Sequence, residues 1–465
     1  MTPSPVDWAR RFAYGMPAFA LAVVGIPVYV YLPKFYSDVV GIDVAVMGYI
    51  LLGVRLFDAV SDPVIGLLSD RTRTRFGRRR PYIFIGGICV ALTLGFLFTP
   101  PESAESNHTL WFGFWIFMLF AFWTLVTVPY EALGPEISFD YSERTTLFAV
   151  RDGLLIAGTL MAAAAPTVVD AIWGGDASPA GERQKFFRIA IIYAPILIGT
   201  CSWCVYRIRE HTQVTVPSNS TSGNRLRAVW QNRPFLILLM AYTISAIGSN
   251  LPATLILYYV EYVLQSSRAD LFLLLYLVTG VAFLPAWIAL AKRIGKKNAW
   301  LMAMIVNTGA FIGVFFLGPG DEMLYAVLVI VSGMGFGASL ALPSAIQADV
   351  IDYDELLTGM RREGHYIGLW SIAKKMAAAV GVGTGLAVLG NAGYVPGGDQ
   401  PATVIWSLRV LYALVPCLCN IIAILIIWAF PLNARAHRDI RAAIRMRRSG
   451  QLPMDPLRPG RRIVV

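Results

Sequence analysis

Twelve apolar stretches, each about as long as a bilayer is thick, leave this chain few ways to fold. They fall near residues 13–33, 43–68, 81–99, 110–135, 149–170, 186–206, 234–260, 270–291, 298–317, 323–347, 364–390 and 404–430. A helix of about 20 apolar residues crosses the roughly 30 Å hydrocarbon layer. In lipid only helices and closed barrels satisfy every backbone group, and barrel strands are short and alternate. The sequence therefore predicts an all-α membrane protein with twelve transmembrane helices. Composition agrees: of 465 residues 56% are hydrophobic and 15% charged, too little charge for the surface of a soluble domain. The net charge of +10 sits in loops beside apolar spans, so it reads as membrane topology, and no nucleic-acid partner is expected.

The basic loops give the orientation. Arg71, Arg73, Arg75, Arg78, Arg79 and Arg80 follow span 2, Arg207, Arg209, Arg225, Arg227 and Arg233 follow span 6, and Lys292, Arg293, Lys296 and Lys297 follow span 8. The tail adds Arg435, Arg438, Arg441, Arg445, Arg447 and Arg448. Intervening loops such as PPESAESNH and GGDASPAGE are poor in Lys and Arg. The positive-inside rule then puts both termini in the cytoplasm. The opening MTPSPVDWARRFAYG lacks a cleavage site after a short apolar core, and reads as a lead-in to the first span. A multi-pass protein of a plasma or bacterial inner membrane is expected.

Span counting and composition divide the chain into a first bundle (1–206), a polar middle loop (207–233), a second bundle (234–430) and a basic tail (431–465). The bundles echo each other. Pro129 opens PYEALGPE, with Glu136, Asp140, Tyr141, Glu143 and Arg144 following; Pro343 opens PSAIQADVI, with Asp349, Asp352, Tyr353 and Glu355 following. Such a repeat describes two six-helix bundles related by a pseudo-repeat, with a site between them, as in secondary transporters.

Charges inside the spans carry the chemistry. Each costs roughly 2.5–3.5 kcal/mol at a helix centre, so the default is a functional pathway facing the bundle interior. Asp58 and Asp62 share a helix face, with Arg55 a turn before. Two such carboxylates repel unless a cation lies between them, which suits a coupling site for Na⁺ or H⁺. Lys375, beside Lys374 in span 11, can pair with them across the cavity. Thr124 and Thr127 in span 4 can complete a cation shell. Trp123, Tyr130 and Trp370 can stack on a sugar face, with Glu131 nearby. Asp70, Arg78 and Arg79 in the turn after span 2 read as a cytoplasmic gate, with Glu136, Asp140, Glu143, Arg144, Asp349, Asp352, Glu355, Arg361 and Arg362 at the ends of spans 4, 5, 10 and 11. The five cysteines lie in apolar segments and read as packing. No phosphate loop, catalytic serine motif or metal-ligand spacing is present; neither an enzyme nor ATP-driven transport is suggested, and no cofactor or resident metal is expected beyond the coupling ion.

The D-x-x-x-D-P-x-x-G of Asp58–Gly66, the GRRRP turn, PYEALGPEI and the D-x-x-D-Y-D-E-x-x-T-G-x-R-R-E-G from Asp349 to Gly364 resemble the glycoside–pentoside–hexuronide:cation symporters of the major facilitator superfamily. The resemblance implies a major facilitator fold and cation-coupled symport of a sugar or glycoside by alternating access. It implies that Asp58, Asp62 and Thr124 form the cation site with Lys375 beside it, and that Arg151 lines the sugar cavity. Two sugar-holding aspartates of the family's galactoside transporter are replaced here, by Ala22 in span 1 and Thr127 in span 4, and Glu131 replaces a tryptophan. Those departures leave open a lysolipid or other amphiphile as substrate, and a membrane sensor without flux is the remaining alternative. The expected partners are a small sugar-like solute, a monovalent cation and the bilayer, with a monomer as the working unit.

Overall fold

The computed structural model describes residues 7–101, 107–137, 141–176, 178–208, 210, 232–359, 363–449, 451 and 453–458. Twelve helices among them are long and apolar enough to cross a membrane. They are α1 (Trp8–Val39), α2 (Val44–Arg71), α3 (Arg80–Leu97) and α4 (His108–Ile137), then α5 (Tyr141–Trp173) and α6 (Pro179–Arg207). The second set is α7 (Arg233–Val263), α8 (Ala269–Ile294), α9 (Lys296–Phe315) and α10 (Glu322–Thr358), then α11 (Glu363–Asn391) and α12 (Ala402–Trp428). A thirteenth helix, α13 (Ala434–Arg448), follows. Among the described residues no strand forms; Thr74 and Gly77 make an isolated bridge. The middle-loop run TVPSNSTSGN lies outside the described residues.

Side-chain caps start several helices by meeting backbone donors that have no partner in the first turn. Asp7 accepts from Arg10 N at 2.9 Å and Asp43 from Val46 N at 2.9 Å. Ser178 accepts from Gly181 N and Asn232 from Phe235 N. Gly295, at φ +90°, makes the one-residue corner between α8 and α9, a conformation glycine adopts without strain. Helices outrun the apolar windows: α5 spans 33 residues and α10 spans 37. Asp352, Asp354 and Glu355, read from sequence as following the span, are therefore the last turns of α10 itself. Hydropathy marks where lipid ends, and a helix can continue beyond it where other chain segments cover it, as α13 covers the end of α10.

The pairing of helices repeats with a shift of six. In the first bundle α1 packs on α5 and α6, α3 on α4 and α6, and α2 on α4. In the second, α7 packs on α11 and α12, α9 on α10 and α12, and α8 on α10. The bundles meet along α2–α11 and α5–α8, two pairs that the same shift exchanges, and along α1–α7. This is the major facilitator architecture, with its two six-helix bundles. Twelve crossings put the start of α1 and the end of α12 on one side, with the turns after α2 and α8, and that side is termed here the terminal face.

Candidate functional site

The charges of α2 and α11 meet at the centre of the bundle interface. Lys375 Nζ lies 2.7 Å from Asp62 and 3.1 Å from Asp58. Thr124 of α4 donates its hydroxyl to Asp58 Oδ1 at 2.5 Å. Asp58 is 2% exposed and Thr124 fully buried. The helical register explains the pairing: four residues bring Asp58 and Asp62 to one face of α2, and that face turns to α11. Lys375 points into the interface, while Lys374, one residue earlier, is exposed. Two carboxylates and one ammonium leave a formal charge of −1, with Asp58 buried and Asp62 and Lys375 half-buried. Their oxygens and the Thr124 hydroxyl form a hard-donor set of the kind that binds protons or alkali cations.

Arg55, a turn earlier on α2, faces a different way. Its guanidinium lies against the rings of both Tyr29 and Phe120, 4.2 and 4.1 Å from their centroids, and donates to the Tyr29 hydroxyl at 3.1 Å. It is 7% exposed, and its Nε has no hydrogen-bond partner among the described residues. Trp123 packs edge-on against Tyr29. Arg55, Tyr29 and Trp123 thus form one cation–aromatic group beside Asp58. Thr127 is half-buried and Glu131 is exposed on the same helix, α4.

Two aromatic residues sit differently from the sequence reading. Tyr130 is buried inside the first bundle, stacked on Tyr14 with its hydroxyl donated to the Tyr14 carbonyl at 2.6 Å. Trp370 stacks on Tyr242 of α7 at 4.1 Å and is 8% exposed. In each case a neighbouring tyrosine covers one ring face, a partner that a one-dimensional apolar pattern cannot show. Arg151 pairs with its neighbour Asp152 at 2.7 Å and lies over Phe148. Ala22, half-buried, faces the crossing of α1 with α5, where a Cβ on Gly158 would lie 3.2 Å from the Ala22 Cβ.

The terminal face carries the same clamp in both bundles. Arg79, just before α3, bonds the Ala132 carbonyl and Glu136 of α4, the latter at 2.8 Å. Lys296, at the start of α9, bonds the Ala345 carbonyl at 3.0 Å and Asp349 of α10 at 2.6 Å. The acid follows the carbonyl by four residues, one helical turn, in each. Arg78 also pairs with Glu136, and Asp70 with Arg79 at 3.0 Å. In the second bundle His437 of α13 adds contacts to Asp349 and Asp352 at 3.4 and 3.0 Å. The Glu355 side chain is buried, and its carbonyl accepts from Arg447 of α13 at 3.5 Å. Glu143 and Arg144 are half-buried in the first turn of α5. Asp140, Arg361 and Arg362 lie outside the described residues.

Three groups of polar residues escaped the sequence reading. Glu210, after α6, accepts from the backbone N–H groups of Arg78, Arg79 and Arg80 at 2.7, 2.8 and 2.9 Å. No pattern announces a lone acid in a polar loop. The tail is docked, with Tyr353 donating to Asp455 at 3.1 Å and Ile440 and Ala443 buried against the second bundle. On the face opposite the termini, Lys34 and Asp38 pair at 2.8 Å. They lie past residue 33, where apolarity alone ends the first span, although their i, i+4 spacing repeats that of Asp58 and Asp62.

The sequence model of the family described as MFS/sugar transport protein matches residues 13–434. The chain is 27% identical to the glucuronide carrier protein homolog of Escherichia coli K12, covering 96% of this chain and 94% of the relative. It is 28% identical to the isoprimeverose transporter of Lactiplantibacillus pentosus, covering 88% and 86%. Among solved structures it is similar in fold to a D-xylose-proton symporter, with a TM-score of 0.60 at 15% identity over 91% of this chain and 95% of that one.

Proposed function

The chain belongs to the MFS/sugar transport protein family, among the glycoside–pentoside–hexuronide:cation symporters, and on that premise we propose that it couples the entry of a sugar or glycoside to a monovalent cation, Na⁺ or H⁺. It is a multi-pass membrane transporter and not an enzyme. The observation that carries the reading is Lys375 of the second bundle held between Asp58 and Asp62 of the first.

Lys375 acts in this state as an internal cation. Its ammonium offsets the repulsion of the two carboxylates and ties α11 to α2. A residual charge of −1 leaves room for one monovalent cation, which competes for the same oxygens. Na⁺ would take carboxylate oxygens and the Thr124 hydroxyl, and H⁺ would neutralise one carboxylate. Either frees Lys375 and loosens the tie between bundles, so that they can rock about the central site. The clamps at Glu136 and Asp349 lie on the terminal face, which the basic loops assign to the cytoplasm, and they brace each bundle there. Arg55, Trp123, Glu131, Thr127 and Arg151 supply charge, hydroxyl and aromatic surface suited to a polar, hydroxyl-rich solute.

A lysolipid substrate has less support. The apolar cavity between α1 and the second bundle, lined by Val30, Leu273, Phe311 and Tyr412 among others, holds about 150 Å³, and the charges at Asp58, Asp62 and Lys375 suit a polar solute better than an acyl chain. Purified protein in proteoliposomes, offered radiolabelled glycosides, pentoses, uronides and a lysolipid, tests the substrate class. Uptake of one sugar class supports the reading; uptake of the lysolipid alone, or ligand binding without any flux, would replace it.

A further inference from the structure

We propose that Asp38 closes the outer side of the transporter, as the shared acceptor of a gate made by both bundles. This rests on the alternating-access reading above and concerns residues that reading does not use. Asp38 ends α1, with a side chain 12% exposed. Its Oδ1 accepts from Ser37 Oγ and from the Tyr394 hydroxyl, both at 2.6 Å. Its Oδ2 accepts from Lys34 Nζ and from the Tyr262 hydroxyl, both at 2.8 Å. Ser37 and Lys34 belong to the first bundle. Tyr262, in α7, and Tyr394, just past α11, belong to the second. Lys34 reaches over as well, to Glu261 of α7 at 2.5 Å, and Ser37 meets the Tyr258 hydroxyl at 3.0 Å.

The set is built to open and close. Half the donors to the carboxylate are on each bundle, so parting the bundles breaks both tyrosine bonds together. Lys34 lies one turn from Asp38 on the same helix, so it stays with the carboxylate when the tyrosines leave. Opening therefore never strands a buried charge, the event that makes most buried ion pairs costly to break. The local backbone points the same way. α1 ends in a π-helical segment, Phe35–Val39, and α7 ends in another, Tyr259–Val263, at the corresponding place in the repeat. Such widened turns cluster at functional positions. Burial pushes the Tyr394 phenol far above its ordinary pKa, which keeps it a donor at any working pH.

The test reads the distance between bundles and needs no solute. Spin labels go on Thr99→Cys, in the α3–α4 loop, and Pro319→Cys, in the α9–α10 loop, both exposed, in a full-length background whose five native cysteines are alanine. Hydrogen bonds to charged groups are worth enough that each one lost should shift the closed-to-open ratio roughly tenfold. Asp38→Asn, and separately the pair Tyr262→Phe and Tyr394→Phe, should each add a population at longer distance in pulsed dipolar spectra. The tyrosine pair keeps the Lys34–Asp38 charges and guards against a misfolded Asp38→Asn. Wild-type distance distributions in both would overturn the proposal. If the distances lengthen but no sugar is carried, the gate stands and the substrate reading falls.

Discussion

At the scale of single residues, few groups hold the central charge. Asp58 is buried with a hydroxyl on one oxygen and an ammonium near the other, so each donor matters. Thr124→Val removes the hydroxyl and keeps the shape. A hydrogen bond to a charged acceptor is worth about 1.5–3 kcal/mol, so cation affinity should weaken roughly tenfold or more, read from cation titrations of solute binding; an unchanged titration would take Thr124 out of the site. Asp58, Asp62 and Lys375 were legible in the sequence because a charge within an apolar span needs a reason. Asp38 and Lys34 were not, because they sit where the apolar window ends and structure alone shows the helix running on. Tyr130 and Trp370 misled for the opposite reason: an aromatic ring in a span looks the same whether it faces a cavity or another ring.

At the scale of helices, close backbone approach sets the interface between bundles. A Cβ on Gly390 of α11 would strike the Ala45 backbone of α2, and one on Gly383 would lie 2.6 Å from the Leu52 Cβ. Small residues allow this contact, as they do in membrane helix pairs generally. Gly390→Val should force α2 and α11 apart at a cost of about 1–3 kcal/mol, typical of overpacking. A lower midpoint in detergent thermal denaturation, beside an unchanged Gly53→Val control with open space around Gly53, is the expected outcome. The number of helices was legible from hydropathy, since lipid demands about 20 apolar residues per crossing. Their true ends were not, because α5 and α10 run on past the apolar windows, the end of α10 under the cover of α13, and neither the π-helical ends of α1 and α7 nor the Glu210 contact leaves a periodic trace.

At the scale of the whole molecule, the shift of six that repeats every major helix pairing makes the two bundles near-equivalent bodies. Two such bodies, tied at the centre by Lys375 and on the side opposite the termini by Asp38, can exchange one closed side for the other with little internal change. The repeat itself was legible in the echo of PYEALGPE and PSAIQADVI, and the clamps Arg79–Glu136 and Lys296–Asp349 are what that echo builds. What ties one body to the other was half legible, since pairing across bundles depends on positions brought together only by the fold. On the proposed mechanism, a cation at Asp58 and Asp62 drives solute uphill. It is tested most directly by the steady accumulation ratio of the transported sugar in proteoliposomes, measured against imposed Na⁺ and proton gradients for wild type and Asp62→Asn. Accumulation should follow one gradient in wild type, and Asp62→Asn should equilibrate the sugar without accumulating it. Gradient-driven accumulation by Asp62→Asn at the wild-type level would contradict it.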